Sequence, residues 1–356
     1  MKYLADCSRM GWFPVALTLV TACGGDLVTP NAPFCSETNP IPVNASLKTL
    51  IRGDALEAPI IRDLAIGFDS TVFVLDAFLR KVTQFDAHGN MLHQFGQEGP
   101  GPGELSEPHG VAIGPDGHIF VADNARIHHF DGKGLFIESI STPVTAVSVT
   151  VEPGGDVVVG SSVTRLDPRP RPYVARYSRD SKTWSPLIDV DSSDYGERPF
   201  IAMFNEVILI NRSDDRVAVV YPFDRSVTVI KHGEASLNLK GCLDRGLRKR
   251  YEQEATSLQR KAASREPITQ KNYYLVSGVH FAANGDVYFA HSDRIRGVGR
   301  ITRFRSDGTP LATYEFEAPT AMHLGNRLSF WRAPNVLLSW NYYGDRVDVW
   351  HVDLPE

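Results

Sequence analysis

Four cysteines are scattered through 356 residues, too few for a disulfide framework to replace a hydrophobic core. No two of them stand at metal-ligand spacing, so a structural zinc site is not expected. Positive charge is also scarce: the formal net charge is −5, which removes any general attraction to nucleic-acid phosphates or anionic lipid. One local basic stretch, Arg245 to Lys261, is broken by Glu252 and Glu254 and has helical spacing, so it reads as a solvated helix face. The apolar run Gly11 to Ala22 is too short to cross a bilayer as an ordinary helix. No Ser-His-Asp pattern, nucleophile elbow or phosphate loop is present in the sequence.

What is there begins with that short apolar run. Lys2 and Arg9 precede it, and it ends Val20-Thr21-Ala22-Cys23, with small side chains just ahead of a cysteine. Residues 1–22 therefore read as a signal peptide. The cleavage end resembles the bacterial lipobox, which implies that Cys23 carries a lipid and anchors the mature chain to the periplasmic or outer surface of a cell envelope. A plain secretory signal, leading to a secreted protein, is the alternative. Residues 23–44 are rich in Pro, Asn, Ser and Thr and read as a flexible tether. Cys35 and Cys242 then remain, either paired by a disulfide or as two free thiols.

The rest of the chain, 45–356, is governed by an internal repeat. Leu64-Ala65-Ile66-Gly67-Phe68-Asp69 and the strand that follows it, to Asp76, match Val111-Ala112-Ile113-Gly114-Pro115-Asp116 and the strand to Asp123, 47 residues on. Val149 to Ser161 and Val279 to His291 repeat the grammar: an apolar strand, a tight turn with Gly, and a second β-branched or aromatic strand. In the first two copies a third strand (Lys81 to Asp86, Arg126 to Asp131), a Gly turn and a fourth strand complete a four-stranded antiparallel unit. Two divergent units, Val207 to Ile230 and Ala321 to Val352, bring the expected number to six. Such units bury their faces only against one another, so the fold class expected is all-β, a six-bladed β-propeller. Leu47 to Arg52 is expected to pair with the last blade and close the ring. Over about 242–268, Leu247, Tyr251, Ala255, Leu258 and Ala262 recur at helical spacing. They predict one inserted amphipathic helix, either packed on the propeller face or serving as a lid or docking element.

The linker Phe95 to Leu105, with its run Gly99-Pro100-Gly101-Pro102-Gly103-Glu104, followed by Pro108-His109-Gly110-Val111-Ala112, resembles the NHL-repeat family. The resemblance is strong over residues 60 to 140, fair over 275 to 310 and weak elsewhere. It implies a six-bladed propeller and says nothing definite about activity, because one fold hosts many functions.

Within a blade, the start of the first strand and the end of the second lie at the same end of the hairpin. The candidate ligand-binding rim is therefore Arg62, Asp63, His109 and Ser277, with Asp123 and Asn124 and, at equivalent strand ends, Asp76 and His291. For Asp76 and Asp123, capping of their own turns is the favoured role. A zinc site of the kind in the related peptidylglycine amidating lyase needs histidines in Pro-His motifs from several blades. Here Pro108-His109 supplies one, whereas Arg62, Val147, Ser277 and Thr320 occupy the equivalent positions. A calcium site of the gluconolactonase and paraoxonase kind would draw on Asp63, Asp123 and Asn124. The function expected is noncatalytic binding of a peptide, saccharide or envelope protein, without cofactor. A calcium- or zinc-dependent hydrolase or lyase is the alternative.

Overall fold

The computed structural model describes residues 40–52, 60–161, 171–190, 208–210, 216–221, 226–231, 234–240, 260, 278–293, 297–318, 327–340 and 346–355. Ser277, Cys23, Cys35 and Cys242 lie outside them, as does the segment of the expected helix apart from Arg260. The described strands form five sheets.

The first sheet is the meander Ile61–Ile66, Val72–Asp76, Lys81–Phe85 and Met91–Phe95. The second has six strands: Pro108–Ile113, Ile119–Phe130, Phe136–Val151, Val157–Ser161, Arg171–Ser178 and Thr183–Val190. The third runs Ile208–Ile210, Arg216–Tyr221, Ser226–Lys231 and Glu234–Lys240, and the fourth Gly278–Phe281, Val287–Asp293, Val298–Phe304 and Pro310–Glu317. The fifth sheet takes Arg327–Phe330, Val336–Trp340 and Val347–Val352 from the end of the chain, and Ala45–Ile51 from near its start.

This last pairing is the closure expected of Leu47 to Arg52. Ala45–Ile51 runs antiparallel to Val347–Val352, with Leu47 opposite Trp350 and Lys48 opposite Val349. The Thr49 hydroxyl donates to Asp348 Oδ1 at 2.8 Å. Ahead of it, Ile41–Pro42 lies parallel to Tyr314–Glu315 on the outer strand of the fourth sheet, and the Val43 N–H donates to the Glu315 carbonyl. Residues 41–43, placed in the tether by the sequence, are thus seated on the outer edge of the fourth sheet.

The second strand of a unit is buried along its whole length: Val72–Asp76, Val157–Ser161 and Val336–Trp340 have no exposed residue. A strand that reads as a continuous apolar run, rather than alternating, needs a neighbour on both faces. The core supplies one. Phe73, Leu75 and Val82 of the first sheet pack on Val111, Ile119, Val121 and Phe130 of the second. Inside the six-stranded sheet, Phe120, Ala122 and Ile127 face Val149, Val157 and Val159. Val158 and Val174 then meet Val217 and Val219, Ala218 and Val220 meet Val279 and Phe289, and Ile301 and Phe316 meet Leu337 and Trp350. Finally Val336, Leu338 and Val349 of the fifth sheet return to Ile61, Val72 and Val74 of the first. The sheets stand face to face as blades of a β-propeller-like arrangement, and the succession of interfaces comes back to its starting point.

Ile119–Phe130 and Phe136–Val151 are long because each changes partner along its length. Residues 119–123 pair with Pro108–Ile113, and residues 126–130 with the strand beginning at Phe136. That strand in turn passes its residues 146–151 to Val157–Ser161. Asn124 marks the first join with a φ of 57°, the left-handed region that Asn tolerates better than most residues.

Candidate functional site

The leading strands of the units pack against one another, and their backbones come very close. A Cβ on Gly278 would lie 2.7 Å from the Leu328 carbonyl oxygen, and one on Gly110 would lie 3.0 Å from Ser148 Cα. The repeat puts Asp63 where the next unit has Gly110. Instead of yielding space, its carboxylate reaches across: Oδ2 accepts the Val111 N–H at 3.1 Å, and Oδ1 accepts Arg327 Nη1 at 3.2 Å. One side chain thereby joins the first, second and fifth sheets. Burial raises the Asp63 pKa above the ordinary carboxylate value, with Arg327 and the Val111 N–H opposing that rise.

Just before Asp63 and Gly110, both leading strands carry a bulge at the same place. Pairing passes from Ile61↔Asp76 to Asp63↔Leu75, skipping Arg62, and from Pro108↔Asp123 to Gly110↔Ala122, skipping His109. A bulge frees its extra residue from the strict alternation of faces and re-aims its side chain. The two re-aimed side chains meet: Arg62 Nη2 lies 2.9 Å from His109 Nδ1. A guanidinium only donates, so Nδ1 is the acceptor and the ring proton sits on Nε2. The pair therefore combines a fixed cation with an imidazole N–H, both half-buried, beside the Asp63–Arg327 ion pair.

The remaining residues of the expected rim behave differently. Asp76, 3% exposed, caps its turn: Oδ1 accepts the Phe78 and Leu79 N–H groups, each at 2.8 Å. Burial raises its pKa, opposed by those same bonds. Asp123 holds the Gly-Pro-rich loop, accepting the N–H groups of Ser106 and Glu107, and also meets Arg126 Nη2 at 3.2 Å and His128 Nε2 at 3.3 Å. Burial alone would raise its pKa, but His128 and the two N–H groups outweigh it and hold Asp123 below the usual range. Asn124 donates to Glu107 Oε2 at 3.2 Å. His291 is buried, with Thr302 Oγ1 3.5 Å from its Nε2. The structure thus brings Arg62, Asp63 and His109 together, whereas Asp123 and Asn124 serve the linker before their own blade.

Arg327 was not anticipated. Its signal was faint: it precedes Leu328 as Asp63 precedes Leu64, but in a divergent unit lacking the Gly turn that marks the others. Both Asp63 oxygens and both Asp123 oxygens accept N–H groups. Among the described residues no group of three or more His, Cys, Asp or Glu side chains is arranged to hold a metal ion.

Residues 105–129, which contain the Leu105 loop end, the His109 bulge and the Asp123 cap, match the family model of the NHL repeat. The fold is shared with solved structures of low sequence identity. A candidate exported protein of Bacteroides fragilis aligns with a TM-score of 0.53 and 11% identity, over 89% of this chain and 99% of the other. A streptogramin B lyase aligns at 0.51 and 12%, over 87% and 98%, and a gluconolactonase of Xanthomonas campestris at 0.51 and 13%, over 86% and 90%. No curated protein sequence matches the chain. The chain is a β-propeller-like protein. It carries an NHL repeat over residues 105–129.

Proposed function

We propose that the protein is a noncatalytic binding propeller whose ligand docks where the leading strands begin, against Arg62 and His109. The observation that carries this reading is the pair of equivalent bulges, which turn one cation and the bare Nδ1 of one imidazole toward each other from adjacent blades. Bulges are sites where strands re-aim a side chain at the expense of ladder pairing, and they gather next to binding and active sites. A peptide, a saccharide or an envelope protein offers the carbonyl, carboxylate or hydroxyl acceptors that such a pair takes.

The blade number in this reading is six. The six-stranded sheet counts as two four-stranded blades split at the partner changes of its long strands, and the cyclic order of the hydrophobic interfaces supports that division. The lipobox-like Thr21-Ala22-Cys23 supports an envelope lipoprotein anchored through Cys23.

The test has two arms on the purified chain. Screened against short peptides and cell-wall oligosaccharides, the parent should bind a member that Arg62→Ala and His109→Ala each bind about tenfold or more weakly, in line with loss of a charge-assisted hydrogen bond. Elemental analysis should show no stoichiometric ion. Full binding by both variants would remove the site from this face. One tightly held calcium or zinc per chain would replace the reading with a metal-dependent hydrolase or lyase.

A further inference from the structure

A pair of histidines lies on the second sheet, away from the Arg62–His109 bulges. His118 ends the turn between the first two strands, and His129 lies near the end of the second, Ile119–Phe130, in the part that pairs with the strand beginning at Phe136. His118 Nδ1 and His129 Nε2 are 2.8 Å apart. The other nitrogen of His129, Nδ1, lies 3.3 Å from Oε1 of Glu138, its cross-strand partner. His129 is 2% exposed and its ring stacks on Phe120, with centroids 4.4 Å apart and planes within 9°.

The donors and acceptors of this chain are determined by elimination. An ionised Glu138 only accepts, so His129 Nδ1 carries a proton. His129 Nε2 is then bare in the neutral ring and accepts from His118 Nδ1–H. Adding a proton to His129 would place two N–H groups head to head across 2.8 Å, inside a core that gives the ring nowhere to turn. His118 has somewhere to go, its side chain being 32% exposed.

We propose that Glu138–His129–His118 is an acid-sensitive latch, closed while the two rings share a single N–H···N bond and opened when His129 takes a proton. The charges around it are Asp116, whose Oδ2 is 3.6 Å from His118 Nδ1; Arg179, whose Nη1 is 3.7 Å from that same Oδ2; Glu138; and Asp131, which feels His118. Because Arg179 follows the Arg171–Ser178 strand, while Asp116 and His118 sit in the turn after Pro108–Ile113, the latch ties together two parts of the six-stranded sheet. Opening it releases the turn from residues 126–130 and loosens the tie to Arg179.

The pKa of His129 agrees in direction. Burial depresses it, outweighing the Glu138 hydrogen bond, and the charges of Arg179 and His118 lower it further. A histidine depressed in the folded state leaves the unfolded chain binding more protons, so its stabilising contribution is complete above the ordinary value near ~6.5 and declines as pH falls through it.

Nitrogen-15 NMR of the imidazole rings in the full chain, with His118→Gln and His129→Phe for assignment, tests this directly. At pH 7.5 His129 should show a protonated Nδ1 and a bare Nε2. Between pH 7.5 and 5.5 it should stay neutral until amide signals of residues 114–118 and 126–141 shift together. The melting temperature should fall over that range by roughly 2–4 °C more in the parent than in His129→Phe, which keeps the stack on Phe120. Two rings that each gain a proton near pH ~6.5 with unchanged amide signals would overturn the proposal. So would a His129→Phe melting curve as pH-dependent as the parent's. Should that variant fail to fold, the ring titration of the parent decides alone.

Discussion

Asp123 shows how a residue that looks like a ligand-binding group becomes a structural one. Its position at the end of a second strand suited the rim, but the neighbouring loop presents two N–H groups that find their acceptor in this carboxylate. Ser139 Oγ, 3.1 Å from His128 Nδ1, extends the same chain of bonds to the outer strand. Asp123→Ala should cost about 2–4 kcal/mol, because it strands buried donors on the loop and on His128. Asp123→Asn should have a distinct acid signature. A carboxylate held below its ordinary pKa contributes stability that is complete above pH ~4 and is lost as pH falls through the folded-state value. Urea titrations at pH 7 and pH 3 should show the gap between parent and Asp123→Asn narrowing at the lower pH. A gap that widens there would refute the assignment. At this scale the sequence was least informative: Arg62, Asp63 and His109 stood out by repeat position, but nothing in the text of the chain says that Asp123 faces the loop and not the rim.

Among the elements, the leading strand is the most constrained. It meets its counterparts backbone to backbone, which is why Gly stands at 110 and 278 and why Asp63, in the same register, must direct its carboxylate into the next strand. Gly278→Ala puts a methyl carbon 2.7 Å from the Leu328 carbonyl oxygen, a rigid backbone atom, so the strands have to part. The expected cost is about 1–3 kcal/mol, read as a lowered urea midpoint with an unchanged slope. Gly154→Ala, where an added carbon meets nothing within 4 Å, is the control and should leave the midpoint nearly in place. Equal effects would show that the leading strands are not in such contact. The hairpins themselves were legible, because apolar runs flanking Gly turns specify strand, turn and strand from local chemistry alone. The partner change in Ile119–Phe130 was legible as well, since it falls between Asp123 and Arg126, where the repeat ends one strand and begins the next.

For the whole molecule, the decisive feature is that residues near both ends of the chain complete the fifth sheet and bring it against the first. The repeat made this legible: a unit short of one strand at its end, with an unmatched strand at the start, has one economical solution. Three kinds of contact join the first and fifth sheets. Apolar packing unites Val72 and Val74 with Leu338 and Val349, Trp331 Nε1 donates to the Ser70 carbonyl at 3.3 Å, and Arg327 meets Asp63. The last also places Arg327 beside the Arg62–His109 pair, so closure and site depend on the same junction.

That junction can be measured with a double-mutant cycle between Asp63 and Arg327, which are 264 residues apart in sequence and 3.2 Å apart in space. Stabilities of the parent, Asp63→Ala, Arg327→Ala and the double variant should give a coupling energy of about 1 kcal/mol or more, as expected of a largely buried charge pair in direct contact. A coupling of zero, with the two single losses simply adding, would mean that the first and last sheets do not meet there and would contradict the closed propeller.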